Sequence, residues 1–178
     1  SNGLQQVFFM TAAAEFGADQ YDLEAGFAAM RAAMPMQISD FTGNMQTLVE
    51  RGEVEMGVQW QGEVFLQMDK GIAVAPFEWE RKPILTQTLS ISRYSDPVQK
   101  KLALAYLNAK LDPDYQTAMS EAFYLRPSNK NTQLPERLTS KGVTNTADAL
   151  EGFWIPDWNW YLDNEDDIVE TVNEIFSS

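Results

Sequence analysis

The sequence predicts an α/β fold, and two observations support that class. Short apolar runs of the kind found in buried strands alternate with segments whose apolar residues recur every three or four positions. Alternation of strands and helices along a chain is typical of α/β proteins. After about residue 83 the patterns become mostly helical. We therefore expect two lobes, formed by residues 1–83 and 84–178, a division that suits a chain of 178 residues.

Five segments carry strand patterns. One is a continuous apolar run, as in a buried strand, and another alternates apolar Val54, Met56 and Val58 with polar residues. Pro76 ends the fourth segment, because proline cannot donate a ladder hydrogen bond. The predicted strands are 7–10, 36–41, 54–58, 72–75 and 84–92.

Three helices are predicted in the first half of the chain. Asp22 is a typical N-cap, and Pro35 ends the helix that follows it. The inward stripe of that helix is Leu23, Phe27, Met30 and Met34. Two further helices are predicted over 44–51 and 63–70, with Gly52 and Gly71 as C-terminal stops.

The second half carries three longer helical patterns. Asp96-Pro97 and Asp112-Pro113 each open a helix, because proline fits the first position of a helix. The last helix spans about 165–176, and its first turn is acidic, which complements the helix dipole. The helix after Asp96 is expected to face the core with Val98, Leu102, Ala105, Tyr106 and Ala109.

Composition and charge exclude several classes of function. The chain has 13 Lys and Arg against 26 Asp and Glu, a net charge of −13, which disfavours nucleic acid and anionic membrane surfaces as partners. It has no Cys and no His, so thiolate and His-ligated metal sites and a Ser-His-Asp triad are excluded. No apolar run approaches the ~20 residues that span a bilayer. We expect no cofactor and no metal.

A series of short motifs follows in order along most of the chain. The pieces are Leu48-x-x-x-Gly52-Glu53-Val54-Glu55-Met56-Gly57, Trp60-x-Gly62, Gly71-x-x-Val74-x-x-x-Glu78, Thr88-Leu89-Ser90-Ile91, the helix over 96–111, Tyr124-x-x-Pro127-x-Asn129 and Asp157-Trp158. In this order and spacing they resemble the second half of periplasmic solute-binding proteins of ABC importers, of the spermidine/putrescine-binding type.

The resemblance implies a non-enzymatic, two-lobed periplasmic protein that closes around a small solute and presents it to a membrane permease. It implies that residues 1–83 form the second lobe and residues 84–178 the C-terminal part of the first. The N-terminal part of the first lobe would be missing, so the chain is expected to be a C-terminal fragment. Ser1-Asn2 is expected to be the scar of a cleaved tag.

Five residues are candidates for ligand binding. Trp60 follows a predicted strand, at the edge where open α/β sheets bind ligands, and matches a ligand-contacting Trp of the family. Gln61 begins the next helix, where free backbone N–H groups favour an anion. Trp79 lies at the lobe boundary and is a candidate to line the cleft. The alternatives are lobe packing for Trp60, an ordinary helix start for Gln61 and hinge packing for Trp79.

The other two candidates are Gln87 and Tyr124. Polyamine-binding members of the family carry an aromatic residue and an Asp where this chain has Leu85 and Gln87. A neutral amide cannot offset a buried ammonium group as a carboxylate does, so a less cationic polar solute is expected to bind Gln87. Tyr124 follows a helix and is a candidate to close over the ligand, with packing inside its own lobe as the alternative.

Two other classes of function stay open at this stage. A carboxylate-based hydrolase would use the pair Glu78 and Glu80 or the pair Glu53 and Glu55. The alternative is that these side chains are solvent-exposed charges on a strand or loop. A protein-interaction module would use the aromatic segment 153–161, whose alternative role is to anchor the last helix. The acidic run 163–167 lacks the glycine that a helix-loop-helix calcium site requires.

Overall fold

The computed structural model describes residues 3–39, 42–77, 81–146 and 148–177, and this part of the chain is mainly helical. The helices are α1 (Gly3–Phe16), α2 (Leu23–Ala32), α3 (Thr42–Glu50), α4 (Gln61–Asp69), α5 (Pro97–Lys110), α6 (Pro113–Phe123), α7 (Glu136–Thr139), α8 (Trp158–Asp163) and α9 (Glu165–Ser177). A single 3-10 turn, Asp148–Leu150, precedes the segment that leads to α8.

Two short strands form the sheet found in the described residues. Strand β1 (Lys82–Pro83) pairs in parallel with β2 (Phe153–Trp154), with Lys82 opposite Phe153. The N–H of Ile84 extends the ladder by donating to the carbonyl oxygen of Trp154 at 3.0 Å. The described residues are therefore mainly helical, with fewer strands than the predicted α/β class led us to expect.

The predicted strand over 7–10 is wrong, because these residues lie inside α1. Their neighbours Thr11 to Ala14 are buried as well, so this helix is enclosed on most of its circumference. An enclosed helix shows a continuous apolar run rather than a period of 3.6, and such a run cannot be told from a buried strand by pattern alone.

Most of the remaining predicted strands have no paired neighbour. Among the residues that the structure describes, 36–39, 54–58 and 72–75 have no ladder partner, and 84–92 pairs only at Ile84. Residues 40 and 41 lie outside the described part. A strand forms only when a neighbouring segment satisfies its backbone groups, and an alternating sequence does not supply that neighbour.

The predicted starts of α2, α5 and α6 are confirmed. The carboxylates of Asp22, Asp96 and Asp112 each accept hydrogen bonds from backbone N–H groups in the first turn of α2, α5 and α6. Gly52 and Gly71 follow α3 and α4 with φ of +68° and +80°, the left-handed conformation that glycine adopts without a steric penalty.

The described residues form two compact units. Unit 1 consists of 3–39, 42–60, 81–85 and 153–177, and unit 2 consists of 61–77, 86–146 and 148–152. Unit 1 thus combines both ends of the chain, whereas the sequence predicted one boundary after residue 83. The assignment of 1–83 and 84–178 to the lobes of a binding protein stays a prediction.

The core of unit 1 joins α1 and α2 to α8 and α9. Its buried side chains are Phe9, Met10, Phe27, Met30, Tyr161, Ile168, Val172 and Ile175. Phe9 and Phe27 pack with ring centroids 5.2 Å apart. Trp154, Trp158 and Trp160 are half-buried against this cluster. The aromatic segment therefore anchors the C-terminal helices, the alternative that the sequence left open.

Unit 2 has a smaller core, made of Phe65, Tyr124, Leu138 and Val143. Asn129 links its loops by donating to the carbonyl oxygen of Leu111 at 2.7 Å. The predicted inward stripe of α5 is wrong, since this helix contributes no buried residue to unit 2. Its half-buried positions are instead Ala103, Leu107 and Lys110.

Charge is divided unequally between the units. The described residues of unit 1 include four Lys and Arg against fourteen Asp and Glu, a net charge of −10. Those of unit 2 include nine of each, a net charge of zero. Among the described residues, the net negative charge therefore lies in unit 1.

Candidate functional site

The start of α4 packs against the end of α6 in unit 2. A β-carbon on Gly62 would lie 2.3 Å from the carbonyl oxygen of Phe123 and 3.4 Å from the β-carbon of Tyr124. Only glycine fits at this distance from backbone. The approach brings the helix that begins at Gln61 next to Tyr124, so two of the sequence-predicted site residues belong to one local structure.

Tyr124 ends α6 in a left-handed conformation with φ of 55°. Its N–H donates to the carbonyl oxygen of Ser120 at 2.8 Å, which closes the last turn. Its ring is buried and meets Phe65 edge-on, with the centroids 5.2 Å apart. The ring thus packs inside its own unit, and a ligand contact by Tyr124 stays a prediction.

The hydroxyl of Tyr124 lies at the centre of a polar network. It donates to Oδ2 of Asp69 in a short hydrogen bond and accepts from Arg137 and from Nζ of Lys141. Asp69 also accepts from Lys141 at 2.8 Å and from Arg137 at 3.1 Å. Arg137 donates further to the carbonyl oxygen of Glu121 at 2.9 Å. We call these four side chains the Asp69 network.

The Asp69 network shifts the pKa of Asp69 and of Lys141. Hydrogen bonds from Lys141 and Tyr124 to the carboxylate hold the pKa of Asp69 below its usual value. The hydrogen bond to Asp69 raises the pKa of Lys141 above its usual value. Arg137 and Lys141 also lie over the face of the Tyr124 ring, 4.9 and 4.7 Å from its centroid. The hydrogen bonds between Asp69 and Lys141 thus favour the charged forms of these two side chains.

The network joins the C-terminal end of α4 to α7 and to the loop after α6. Each polar group of Asp69 and Tyr124 is engaged within the network, which gives the cluster a positioning role rather than a reactive one. Because α4 is held at both ends, the backbone around Gln61 is fixed relative to Tyr124. Among the residues the structure describes, no group of three or more side chains is arranged to hold a metal ion.

The remaining predicted site residues lie at different places. Trp60 is 39% exposed and ends the first segment of unit 1, whereas Gln61 and Gln87 are exposed in unit 2. Trp79 lies outside the described residues. The structure joins Gln61 and Tyr124 locally, and it leaves the ligand-binding roles of all five residues as predictions.

Three residues of the Asp69 network were missed by the sequence analysis. Arg137 and Lys141 are four positions apart, a spacing that places two cations on one side of a helical turn. That spacing was available in the sequence. Their common partner was not, since Asp69 is 68 residues before Arg137 in the chain.

Glu53 and Glu55, one of the carboxylate pairs considered for a hydrolase, do not share a buried environment. Glu53 and Glu55 are both exposed, and Glu53 forms an ion pair with Arg51 at 3.6 Å. Glu78 and Glu80 lie outside the described residues. The acidic run 163–167 ends α8 and fills the first turn of α9, as expected for carboxylates near a helix N-terminus.

Comparison with known proteins identifies the fold. No protein-family model and no curated protein matches the chain. The chain is similar to the crystal structure of a protein from Bordetella parapertussis described as an extracellular solute-binding protein, with a TM-score of 0.68 and 19% sequence identity. The match covers 98% of this chain and 53% of the other, so this chain spans about half the length of its neighbour.

The chain thus has a fold found in a solute-binding protein. Among the described residues, no helix combines the length and apolar character needed to cross a bilayer.

Proposed function

We propose that this chain is part of the substrate-binding component of an ABC importer, which captures a small polar solute and delivers it to a membrane permease. One observation carries the proposal: almost the whole chain matches the fold of a protein described as extracellular and solute-binding. The ordered motifs from Leu48 to Asp157 point to the same class. The proposed location is the periplasm, and the proposed role is binding without turnover.

The proposed ligand-binding residues are Trp60, Gln61, Trp79, Gln87 and Tyr124. Trp60 and Gln61 are adjacent in the sequence, and both side chains are exposed. An aromatic face with a few hydrogen-bonding groups suits a small polar solute. Because Gln87 is neutral, the proposed solute is a polyamine-like or amino-acid-derived compound with less positive charge than spermidine.

The chain is also proposed to be a fragment of a longer, two-lobed protein. This proposal rests on the motif resemblance described above; the chain spans about half the length of its structural neighbour. In proteins of this type the solute is enclosed when the lobes close. The 178-residue chain alone is therefore expected to bind its solute weakly, and the ligand screen should use the full-length product of the native gene.

A thermal-shift screen tests the function. The panel holds polyamines, amino acids, amino-acid conjugates, sugars and organic anions. A ligand at ~100 times its Kd adds about 2.7 kcal/mol to the free energy of unfolding, which a melting curve resolves. A shift with one chemical class supports the proposal and defines the solute. No shift across the panel, with a well-folded protein, would count against it.

Variants then connect a hit to the predicted residues. Trp60→Ala is expected to remove most of the ligand-induced shift, because it deletes the exposed aromatic face. Tyr94→Ala is the matched control, since Tyr94 is an exposed aromatic residue of unit 2 outside the predicted site. Equal loss of the shift in both variants would show that Trp60 has no specific role.

A further inference from the structure

A groove lies between α1 and α2 in unit 1. Its volume is about 520 Å³, and every residue that lines it is apolar. Helix α1 contributes Phe8, Ala12 and Phe16, which are four residues apart, and α2 contributes five alanines and Met30. Met30 is 2% exposed and Phe16 is 74% exposed. The groove therefore has a buried floor and an open rim.

The groove exists because one of its walls consists of methyl groups. Helix α2 packs into the core of unit 1 through the large side chains of Leu23 and Phe27, whereas its side toward the groove carries only alanines. A space of this volume is in the range that holds small molecules. A charged group inside it would lose its hydration and gain no hydrogen bond from the lining, so the groove favours an apolar body.

One end of the groove is acidic. Phe16 ends α1 and Ala25 lies in the first turn of α2, so both lining residues flank the turn that joins the two helices. The Asp22 carboxylate lies against this lining, because its Oδ1 accepts from the N–H of Ala25 at 3.1 Å. A β-carbon on Gly17 would lie 2.6 Å from Oδ2 of Asp22 and 2.7 Å from the β-carbon of Ala25. The turn therefore holds a carboxylate at the end of the groove.

The charge around this end is of one sign in the sequence. The first 30 residues of the chain contain four carboxylates and no Lys or Arg. One of them, Glu15, forms an ion pair with Arg81 at 2.8 Å. The other three are Asp19, Asp22 and Glu24, and unit 1 as a whole has a net charge of −10 in its described residues. Such a field attracts a cation to this end of the groove and repels an anion.

We propose that the α1–α2 groove binds a cationic amphiphile, whose apolar chain occupies the groove and whose positively charged head group lies beside Asp22. A quaternary ammonium interacts through charge alone, so the N–H groups of Ala18 and Ala25 keep their hydrogen bonds to the Asp22 carboxylate. None of the five proposed solute-binding residues lines the groove. The proposal is therefore independent of the proposed function, and either can fail without the other.

Isothermal titration calorimetry of the 178-residue chain tests the proposal. The probes are decyltrimethylammonium, decyl sulfate and tetramethylammonium, used at low salt and below the concentrations at which the two decyl compounds form micelles. Decyltrimethylammonium should bind saturably, with one molecule per chain. Decyl sulfate has the same chain and should bind at least about tenfold more weakly, because its head group is repelled. Tetramethylammonium should give no measurable binding, because it has no chain to fill the groove.

Filling the groove tests its location. Ala29→Phe should weaken the binding of decyltrimethylammonium by at least about tenfold, because the ring occupies the space of the chain. Ala105→Phe is the matched control, since Ala105 is an exposed alanine of α5 in unit 2, and its affinity should equal that of the parent chain. If circular dichroism shows that Ala29→Phe does not fold, Ala28→Phe is used, because Ala28 lines the groove at an exposed position.

A neutralised carboxylate tests the charge. Asp22→Asn retains a side chain that caps α2, so the turn should keep its fold. It should weaken the binding of decyltrimethylammonium severalfold and leave the binding of decyl maltoside, a neutral amphiphile, unchanged. Asp148→Asn, at an exposed position of unit 2, is the control and should change neither affinity.

Four outcomes would overturn the proposal. A titration that does not saturate, or an affinity that is retained when the groove is filled, would show that the groove is not the site. Equal affinities for decyltrimethylammonium and decyl sulfate would show that the head group is not recognised by charge. Equal losses for decyltrimethylammonium and decyl maltoside in Asp22→Asn would show that Asp22 acts only through the fold of the turn.

Discussion

Tyr124 combines a positive φ with a fully packed side chain. A left-handed conformation costs about 1–2 kcal/mol for a residue that has a β-carbon. At Tyr124 this cost is offset by the buried ring against Phe65 and by the hydroxyl within the Asp69 network. A glycine at this position would adopt the left-handed conformation without a penalty. It would lose the packing of the ring against Phe65 and the hydrogen bonds of the hydroxyl. The side-chain interactions of Tyr124 therefore offset the free-energy cost of its left-handed backbone.

Removing only the hydroxyl separates these contributions. Tyr124→Phe keeps the ring and deletes the central group of the network, so we expect the free energy of unfolding to fall by about 1 kcal/mol. Urea denaturation followed by far-UV circular dichroism measures this change. Tyr94→Phe is the control, because Tyr94 is exposed, and it should change stability by less than about 0.5 kcal/mol. Identical effects of the two variants would contradict the network's role.

Gly62 provides a second test at the level of one atom. An added β-carbon would meet the carbonyl oxygen of Phe123 at 2.3 Å, and this neighbour is backbone that cannot turn aside. Gly62→Ala should therefore destabilise the protein by about 1–3 kcal/mol, although alanine favours helices.

The control for Gly62 is Gly152→Ala, whose β-carbon would meet no atom within 4 Å. Its free energy of unfolding, from the same urea curves, should stay close to that of the parent chain. If Gly62→Ala left the free energy of unfolding unchanged, the contact between α4 and α6 would not contribute to stability.

At the level of elements, the link between α4 and α7 depends on pH. The pKa of Asp69 is lowered in the folded state, so its contribution to stability is present above about pH 4 and is lost as the pH falls through the folded-state value. The pKa of Lys141 is raised, so its contribution is complete below about pH 10 and is lost as the pH rises through its folded-state value.

The Asp69→Asn variant isolates the loss of stability that protonation of Asp69 causes at low pH. The parent chain should be more stable than this variant at pH 6, and the difference should shrink as the pH is lowered toward 2–3. Urea denaturation at each pH measures it. Asp148→Asn, at an exposed position, is the control and should show a small difference at every pH. If the stability difference between the parent chain and Asp69→Asn grew as the pH fell, the pKa of Asp69 would be raised in the folded state and not lowered.

The cap of α5 is a second element-level test. The Asp96 carboxylate accepts from the N–H groups of Val98 and Gln99, both at 2.8 Å, and the Gln99 side chain accepts from the N–H of Asp96. Asp96→Ala should lower the free energy of unfolding by about 1 kcal/mol, while Asp96→Asn should retain most of it. Circular dichroism during urea denaturation gives both values. Equal losses in the two variants would show that the cap acts only through charge.

Elements whose signals are local were predictable from sequence. Asp22, Asp96 and Asp112 identified helix starts because a cap and its helix are adjacent in the chain. Strands failed, because a ladder needs a partner that no local pattern reveals; β1 and β2 are about 70 residues apart. The α5 stripe was identified as apolar but assigned to the core, since periodicity shows which residues share a side and not what covers it.

Some residues of the candidate site were likewise predictable from the sequence and others were not. Tyr124 and Gln61 were noted from motif spacing, and the structure brings their elements together through Gly62. Asp69 was not noted, because a lone acid at the end of a helix has no signal of its own. Its importance depends on Lys141, which is 72 residues further along the chain.

At the level of the whole molecule, the charge asymmetry predicts a response to salt. Unit 1 carries a net charge of −10 in its described residues, and like charges repel in the compact state. Raising NaCl from about 10 to 150 mM shortens the Debye length from ~30 to ~8 Å. The described tryptophans, Trp60, Trp154, Trp158 and Trp160, lie in unit 1. A melt followed by tryptophan fluorescence should therefore show a Tm that rises with salt.

The control for this experiment is an uncharged solute at matched osmolarity, which does not screen charge. A Tm that falls with NaCl would mean that attractive ion pairs, such as Arg81 with Glu15 at 2.8 Å, outweigh the repulsion.

The interleaving of the two units affects the order in which the chain can fold. Phe9 and Phe27 need Ile168, Val172 and Ile175 to complete the core of unit 1. During synthesis, the first 60 residues must therefore wait until more than 100 further residues have been made, whereas the segment that forms unit 2 is complete by residue 152. Contacts of such large sequence separation slow folding. Helices α1 and α2 therefore cannot complete their core before α9 has been synthesised.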